Sequence, residues 1–193
     1  MANTTGWCGS HMKTHFVLNT LGNIQFLIRH NPGEAERLME IFIDYSKATL
    51  RYENQAAWNS LTKELTYLEQ YENLMVMRFG EHFCLKKDIA VQMDLPPMTL
   101  QGLIENAFYH GVRDLLEEGK MSIRSYTEGD EDVLEVSDNG KGIADVGATL
   151  RNAMEESSFL GKLNAAISQD ETTALQIIST IQKGTKVQIP RKR

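Results

Sequence analysis

Residues 96–111 read PPMTLQGLIENAFYHG, and this stretch decides the fold of the chain. The two prolines end whatever element precedes them, because proline has a fixed φ angle and no backbone N–H. Apolar residues then recur at helical spacing, which predicts an amphipathic helix with one buried face. These apolar residues are Met98, Leu100, Leu103, Ile104, Ala107 and Phe108.

The polar residues of the same helix suggest a binding site. Asn106, Tyr109 and His110 are three and four residues apart and share a helix face, while Glu105 points about a quarter turn away. An Asn oxygen on a rigid helix suits Mg²⁺, which keeps most of its waters and takes other oxygens from substrate phosphates. Asn106 is therefore a candidate metal ligand, although one asparagine alone is weak evidence.

A second polar motif, DNGKG at 138–142, follows an alternating segment that predicts a strand. Asp-Asn-Gly after a strand ordinarily forms a hairpin turn. Alternatively, the Asp138 carboxylate accepts a hydrogen bond from an adenine amino group, and Gly140 and Gly142 let the backbone approach a nucleotide closely. The E-N-x-x-x-H-G helix 32 positions earlier (138 minus 106) favours the nucleotide pocket.

Together these segments resemble the N box and the first G box of the ATP-binding domain shared by histidine kinases, gyrase B and related ATPases. Residues 12–19, MKTHFVLN, resemble the phospho-acceptor box of LytS/YesM-type sensor histidine kinases. The resemblance runs from about Met12 to Pro190. Its most specific pieces, in family order, are HFVLNTL, LEQYENLMVMRFG, LPPMTLQGLIENAFYHG and DNGKG.

The resemblance implies an α+β fold: a helical hairpin for dimerisation and phospho-acceptance, then an α/β sandwich of the GHKL (Bergerat) ATP-binding type with a mixed sheet against helices. Residues 1–12 are expected to be a leader or linker, 13–57 the hairpin, and 58–193 the catalytic domain. The implied function is Mg-ATP-dependent autophosphorylation of a histidine, followed by transfer to an aspartate of a response regulator. The alternative is a weak or inactive module of this fold that acts by docking.

The resemblance also assigns the catalytic residues. His15 is the implied nucleophile, although a histidine in a helix is ordinarily a surface or capping residue. Asn19, on the same face, would orient the imidazole or a water, or is simply a surface residue. Phe16 follows His15 where many histidine kinases carry an acid, so we expect the base to come from elsewhere, and Glu105 is the candidate.

ATP and Mg²⁺ are the implied ligands. Asn106 would hold the metal, and the implied nucleotide-binding residues are Asn106, His110, Asp138, Gly140, Gly142, Gly161, Asn164 and Thr185. The family's second glycine motif, G-x-G-L-x-N, appears at 159–164 with Phe159 in place of the first glycine, which puts nucleotide affinity and turnover in doubt. Gly184-Thr185 matches the family's closing G-T, and an ordinary hairpin turn explains the pair equally well.

The remaining chain supplies helices and strands around these motifs. Helices are expected from Thr14 to the HNPG break at 30–33, over 34–52, and over 61–79. The apolar seam of the first two is too wide for one partner, which predicts a homodimeric four-helix bundle. Its residues are Val17, Leu21, Ile24 and Ile28, then Leu38, Ile41, Phe42, Tyr45 and Ala48. An extended segment at 83–95, hairpins at 120–137 and 173–189, and a mobile lid at 143–158 complete the prediction.

Composition limits the partners. The 193 residues include 20 basic and 26 acidic side chains, and the net charge of -6 argues against nucleic acid or an anionic membrane as a partner. Cys8 and Cys84 form neither a disulfide framework nor a metal motif, which fits a reducing, cytoplasmic compartment. GSHM at 9–12 reads as a tag remnant or as a polar lead-in. Because no apolar run is long enough to span a membrane, we expect absent upstream segments to anchor the full-length parent.

Overall fold

The computed structural model describes residues 14–53, 58–80, 83–115, 118–144, 158–168 and 174–192. The expected leader at 1–12 lies outside these ranges. The elements in chain order are helix α1 (Thr14–His30), α2 (Pro32–Glu53), strand β1 (Asn59–Ser60), α3 (Leu61–Phe79), β2 (Phe83–Ile89), β3 (Asp94–Leu95), α4 (Thr99–Asn106), a π-helical turn (Ala107–Val112), β4 (Gly119–Glu128), β5 (Glu131–Asp138), α5 (Phe159–Ile167), β6 (Gln176–Thr180) and β7 (Gly184–Lys192).

The first two helices form the predicted hairpin, broken at Asn31. The Asn31 carbonyl accepts the Ala35 N–H at 3.0 Å, its side chain accepts the Glu34 N–H at 3.3 Å, and Pro32 opens α2. Within the predicted seam, Ile24 is buried, whereas Leu21 and Ile28 are 41% and 58% exposed. Part of the apolar face of α1 is therefore not covered by the described chain.

Five strands form a mixed sheet in the order β2-β4-β5-β7-β6, in which β2 and β4 are parallel and the other pairs antiparallel. Along β4, Met121, Ile123 and Ser125 are buried and alternate with more exposed residues, as expected for a sheet with one covered face. Helices α3 and α4 and the π-helical turn share the core with that face. The predicted class, a mixed sheet against helices, is confirmed.

One hydrophobic core runs from the hairpin to the sheet. Phe16 and Tyr45 of the hairpin belong to the same buried cluster as Leu134 and Ile189 of the sheet. The Tyr45 ring lies 5.9 Å from the Tyr71 ring of α3, centroid to centroid. The hairpin thus packs directly on the helices of the second half, and the expected boundary at 57/58 remains a prediction.

The start of α4 is fixed by a carboxylate from α3. Glu64 is buried, and its two carboxylate oxygens accept the N–H groups of Met98 at 2.9 Å and Leu100 at 3.2 Å. Met98 has a φ of 64°, which places it in the left-handed region immediately before the helix. The helix consequently begins at Thr99 rather than at the prolines, and Glu64 sets its position.

Within the described ranges, no helix combines the length and apolarity needed to cross a membrane.

Candidate functional site

A cavity of about 830 Å³ lies between α4, the π-helical turn, the end of β5, the β6–β7 hairpin and the start of α5. Its polar wall contains Asn106, His110, Asp138, Lys141, Ser158 and Thr185. Its apolar wall contains Leu103, Ala107, Val136, Ile143, Ala144, Phe159, Leu160, Ile177 and Val187, and Gly111 and Gly142 complete the lining. A cavity of this size with few polar groups on an apolar lining is typical of a small-molecule site.

Asn106 and Asp138, 32 positions apart in sequence, both line this cavity. Asn106 is the last residue of α4, and its amide makes no hydrogen bond to the described part of the chain. The structure therefore brings together the two residues on which the sequence argument depends. The amide oxygen of Asn106 is a hard ligand suited to Mg²⁺, so the residue present fits the implied metal.

Asp138 ends β5 and is held by two backbone groups. Its Oδ1 accepts the N–H of Gly140 at 2.8 Å and the N–H of Thr185 at 3.3 Å. Burial raises the pKa of this carboxyl, and the hydrogen bonds from Gly140 and Thr185 partly oppose that rise. Both bonds use the same oxygen, so the other oxygen is available to accept a hydrogen bond from a ligand.

Both glycines of DNGKG lie so close to neighbouring backbone that a side chain would not fit. A Cβ atom on Gly140 would lie 2.4 Å from the backbone of Gly111, and one on Gly142 would lie 2.1 Å from the Thr180 carbonyl oxygen. Gly142 also has a φ of 65°. These contacts join the loop after β5 to the π-helical turn and to the β6–β7 hairpin. Gly142 lines the cavity, whereas Gly140, also predicted to bind nucleotide, packs against Gly111 and is not in the lining.

Helix α4 continues into a π-helical turn at Asn106 instead of a further α-helical turn, which changes the direction of the side chains that follow. His110 lines the cavity together with Asn106, as expected. Tyr109 does not line the cavity: its ring packs against Phe79, at 6.4 Å between centroids, and under Arg113. The wider turn rotates the residues after Asn106 away from α-helical register, and such turns are frequent at functional sites.

The second glycine motif is placed differently from the prediction. Gly161 and Asn164 do not line the cavity: the Gly161 N–H donates to the Ser158 Oγ that caps α5, and the Asn164 Oδ1 accepts the Leu175 N–H at 3.1 Å. Both residues hold α5 and the following chain in place. Their predicted contact with nucleotide stays a prediction.

Phe159, which replaces the family's glycine, forms part of the cavity wall. Its ring packs on Gly102 of α4, where an added Cβ atom would stand 2.2 Å from two ring atoms. The aromatic ring thus ties the first turn of α5 to the helix that carries Asn106. The sequence shows the replacement of glycine by Phe159, but it does not show that the ring packs on Gly102.

Of the three predicted catalytic residues, Glu105 and Asn19 are described, and neither lines the cavity. Glu105 is buried on the side of α4 that faces the hairpin, where its Oε1 accepts the Gln101 Nε2–H at 2.8 Å. Asn19 is half-buried on α1. His15 is helical in α1, but its side chain is not among the groups that the structure describes. The structure thus separates Glu105 from the cavity and places it beside the hairpin.

Lys141 and Ser158 line the cavity but were not predicted as site residues. Lys141 lies between Gly140 and Gly142 in the DNGKG motif. A positively charged residue within a glycine-rich loop was the sequence feature that could have identified it as a site residue. Residues 145–157, most of the expected lid, lie outside the described ranges, while Ile143 is tied to Ser179 by a 2.9 Å hydrogen bond. Within the described ranges no three His, Cys, Asp or Glu side chains cluster as a metal site.

Residues 7–83 match the family model described as histidine kinase. The chain is 29% identical over 135 residues to sensor histidine kinase BtsS of Escherichia coli K12, and 31% identical over 137 residues to sensor protein LytS of Streptococcus mutans. The chain is similar in sequence to sensor histidine kinases. The BtsS and LytS alignments cover 67% and 70% of this chain but 23% of each relative. YwpD of Bacillus subtilis is 28% identical over 183 residues, which cover 92% of the chain and 66% of YwpD.

Solved histidine kinase structures share the fold. The catalytic domain of histidine kinase ThkA superposes with a TM-score of 0.52 at 9% identity and covers 70% of this chain and 95% of that domain. ThkA in complex with response regulator protein TrrA gives a TM-score of 0.50 at 10% identity over 92% of this chain and 59% of ThkA. These likenesses show that the chain shares the fold of the ThkA catalytic domain, a mixed sheet packed against helices.

Proposed function

We propose that this chain is the kinase core of a two-component sensor, which transfers the γ-phosphoryl group of Mg-ATP to His15 and then passes it to a response-regulator aspartate. The observation that carries the proposal is the convergence of Asn106 and Asp138 on one cavity in a chain similar to sensor histidine kinases. The ThkA structure, whose partner is a response regulator, supports the second transfer.

In this proposal the cavity residues bind and position the nucleotide. Asp138 accepts a hydrogen bond from the adenine amino group through its available oxygen. Gly142 brings backbone close to the ligand, and Gly140 lets the same loop pack on Gly111. Lys141 and Thr185 line the same cavity and supply a positive charge and a hydroxyl for the nucleotide. Asn106 would hold Mg²⁺, which neutralises phosphate charge when bound.

The transfer itself is a displacement at phosphorus. A neutral imidazole nitrogen of His15 forms a bond to the γ-phosphorus, the bond to the bridging oxygen breaks, and ADP leaves with the electron pair. We propose Glu105 as the base that accepts the proton from the other ring nitrogen, because its carboxylate faces the hairpin that carries His15. Asn19, four residues after His15, would orient the ring.

We further propose a homodimer formed through the hairpin. Leu18, Leu21 and Ile28 of α1 and Ile43 and Leu50 of α2 are exposed large apolar residues, which a second hairpin would cover. Light scattering over a concentration series tests this, and a monomer at all concentrations would contradict it. Because the chain matches about a quarter of BtsS and LytS, we also propose that the whole protein carries sensor and membrane segments outside it.

Incubation with γ-labelled ATP and Mg²⁺ tests the kinase function. We expect an acid-labile label on the wild-type dimer and none on His15→Gln, because phosphohistidine is the expected product. Equal labelling of the two proteins, or no label on a dimeric wild type, would refute the proposed reaction. Labelling should also require the same cavity, so Asp138→Asn should reduce it while leaving the dimer intact.

A second candidate function is a docking module that binds nucleotide weakly. It is favoured by Phe159, a bulky ring where the family has glycine, and by the placement of Gly161 and Asn164 outside the cavity. Titration with ATP, ADP and a non-hydrolysable analogue separates the two functions. Binding that is lost in Asp138→Ala supports the kinase, whereas no binding of any of the three supports the module.

A further inference from the structure

A buried polar network joins the hairpin to α4 on the side away from the cavity. Gln101 and Glu105 lie one turn apart on α4 and are 4% and 6% exposed. The Gln101 Nε2 group donates to the Tyr45 hydroxyl at 2.5 Å and to Glu105 Oε1 at 2.8 Å. One amide therefore connects a hydroxyl on α2 with a carboxylate on α4.

The direction of the Gln101 amide follows from its partners. Its Nε2 atom faces both Tyr45 and Glu105, whereas its Oε1 atom is buried without a hydrogen-bond partner in the described part of the chain. The second bond, to Tyr45, stops the amide from rotating away. Tyr45 is itself 1% exposed, and burial, followed by the neighbouring Tyr67 and Glu105, raises the pKa of its phenol, which stays protonated.

The network lies near the start of α1, the helix that carries His15, the proposed phospho-acceptor. The ring of Phe16, the residue after His15, lies 5.7 Å from the Tyr45 ring. On α4 the neighbouring residue Asn106 lines the cavity, whereas Glu105 faces this network. Adjacent residues of one helix thus serve the nucleotide cavity and the hairpin.

We infer that Gln101, anchored by Tyr45, is a positioning residue that fixes the Glu105 carboxylate toward the hairpin and so sets the rate of phosphoryl transfer without contacting nucleotide. This inference rests on the proposed function, in which Glu105 is the base. A mispositioned base slows the chemical step but leaves ground-state binding intact. Gln101 should therefore affect the rate at saturating ATP and not the nucleotide affinity.

The test compares Gln101→Met, which keeps the length of the side chain, with Tyr45→Phe, which removes only the anchoring hydroxyl. The matched control is Gln92→Met, because Gln92 is exposed and accepts a hydrogen bond from Thr62 at the surface. The initial rate of His15 labelling is measured at saturating Mg-ATP, and the Kd for a non-hydrolysable ATP analogue is measured by calorimetry.

We expect Gln101→Met to lower the labelling rate about tenfold, Tyr45→Phe to lower it about threefold, and both to keep the analogue Kd within about twofold. Gln92→Met should match the wild type in both measurements. Unchanged rates in a labelling wild type, or a parallel loss of rate and affinity in both variants, would overturn the positioning role alone. A wild type that binds the analogue but is never labelled would overturn the proposed function and this inference with it.

Discussion

Gly111 lies so close to Asp138 that a Cβ atom added to it would stand 2.7 Å from Oδ1 of the carboxylate. We predict that Gly111→Ala displaces that carboxylate, destabilises the fold by about 1–3 kcal/mol and weakens nucleotide binding about tenfold. The matched control is Gly22→Ala in α1, where an added Cβ atom meets nothing within 4 Å. It should be neutral or stabilise by about 0.5–1 kcal/mol. Denaturant unfolding and calorimetry give the two quantities, and equal behaviour of the two variants would contradict the close contact.

Gly102 and Phe159 form a pair that a double-mutant cycle can test. Gly102→Ala alone should cost about 1–3 kcal/mol of unfolding free energy, because its Cβ atom would overlap the Phe159 ring. In the Phe159→Ala background the same change should cost less than about 0.5 kcal/mol, because the ring is gone. Additive free energies would show that the ring does not pack on Gly102.

The raised pKa of Asp138 predicts a pH dependence of binding. The ionised carboxylate is the acceptor for the adenine amino group, so affinity should fall with decreasing pH, beginning above the ordinary aspartate value of 3.8. Asp138→Asn should bind weakly with no such dependence. Nucleotide titrations from pH 4 to 8 check this dependence of affinity on pH, and a flat wild-type profile would contradict it.

The same raised pKa also affects folding stability. The stability contributed by Asp138 is present at low pH and is lost as pH rises through the folded-state pKa.

Asn106 is expected to make nucleotide binding depend on Mg²⁺. In the wild type, ADP should bind more tightly with Mg²⁺ than with a chelator, and Asn106→Ala should reduce that difference about tenfold. Asn164→Ala is the comparison, because Asn164 bonds the Leu175 backbone and lies outside the cavity. It should lower the melting temperature and keep the Mg²⁺ dependence. The opposite pattern would restore Asn164 to the site and remove Asn106 from it.

Local patterns in the sequence predicted much of the fold. The break at 30–33, the α3 helix and the β4–β5 hairpin follow from proline, glycine and alternation, whose effects act within a few residues. The convergence of Asn106 and Asp138 was accessible because the family motif specifies both. What the sequence did not reveal depends on contacts between distant residues, such as the Glu64 carboxylate that starts α4 at Thr99.

The arrangement of the residues around the site also depends on contacts that no short pattern shows. Apolar periodicity predicted a continuous helix and gave no sign of the π-helical turn, in which the Tyr109 ring packs against Phe79. Gly161 and Asn164 were assigned by motif, but the Phe159 substitution and the Ser158 cap give the first turn of α5 its own arrangement. The Tyr45–Gln101–Glu105 network joins residues 56 and 4 positions apart, and no short motif signals it.

Calorimetric titration of Mg-ADP into the wild type and Asp138→Asn tests the central claim, that this cavity is the nucleotide site. Asparagine keeps an oxygen for the N–H groups of Gly140 and Thr185, so the fold should remain while the adenine contact is lost. The account predicts one binding site in the wild type and at least about tenfold weaker binding in Asp138→Asn at equal melting temperature. Equal dissociation constants for the two proteins, or no binding to the wild type, would contradict it.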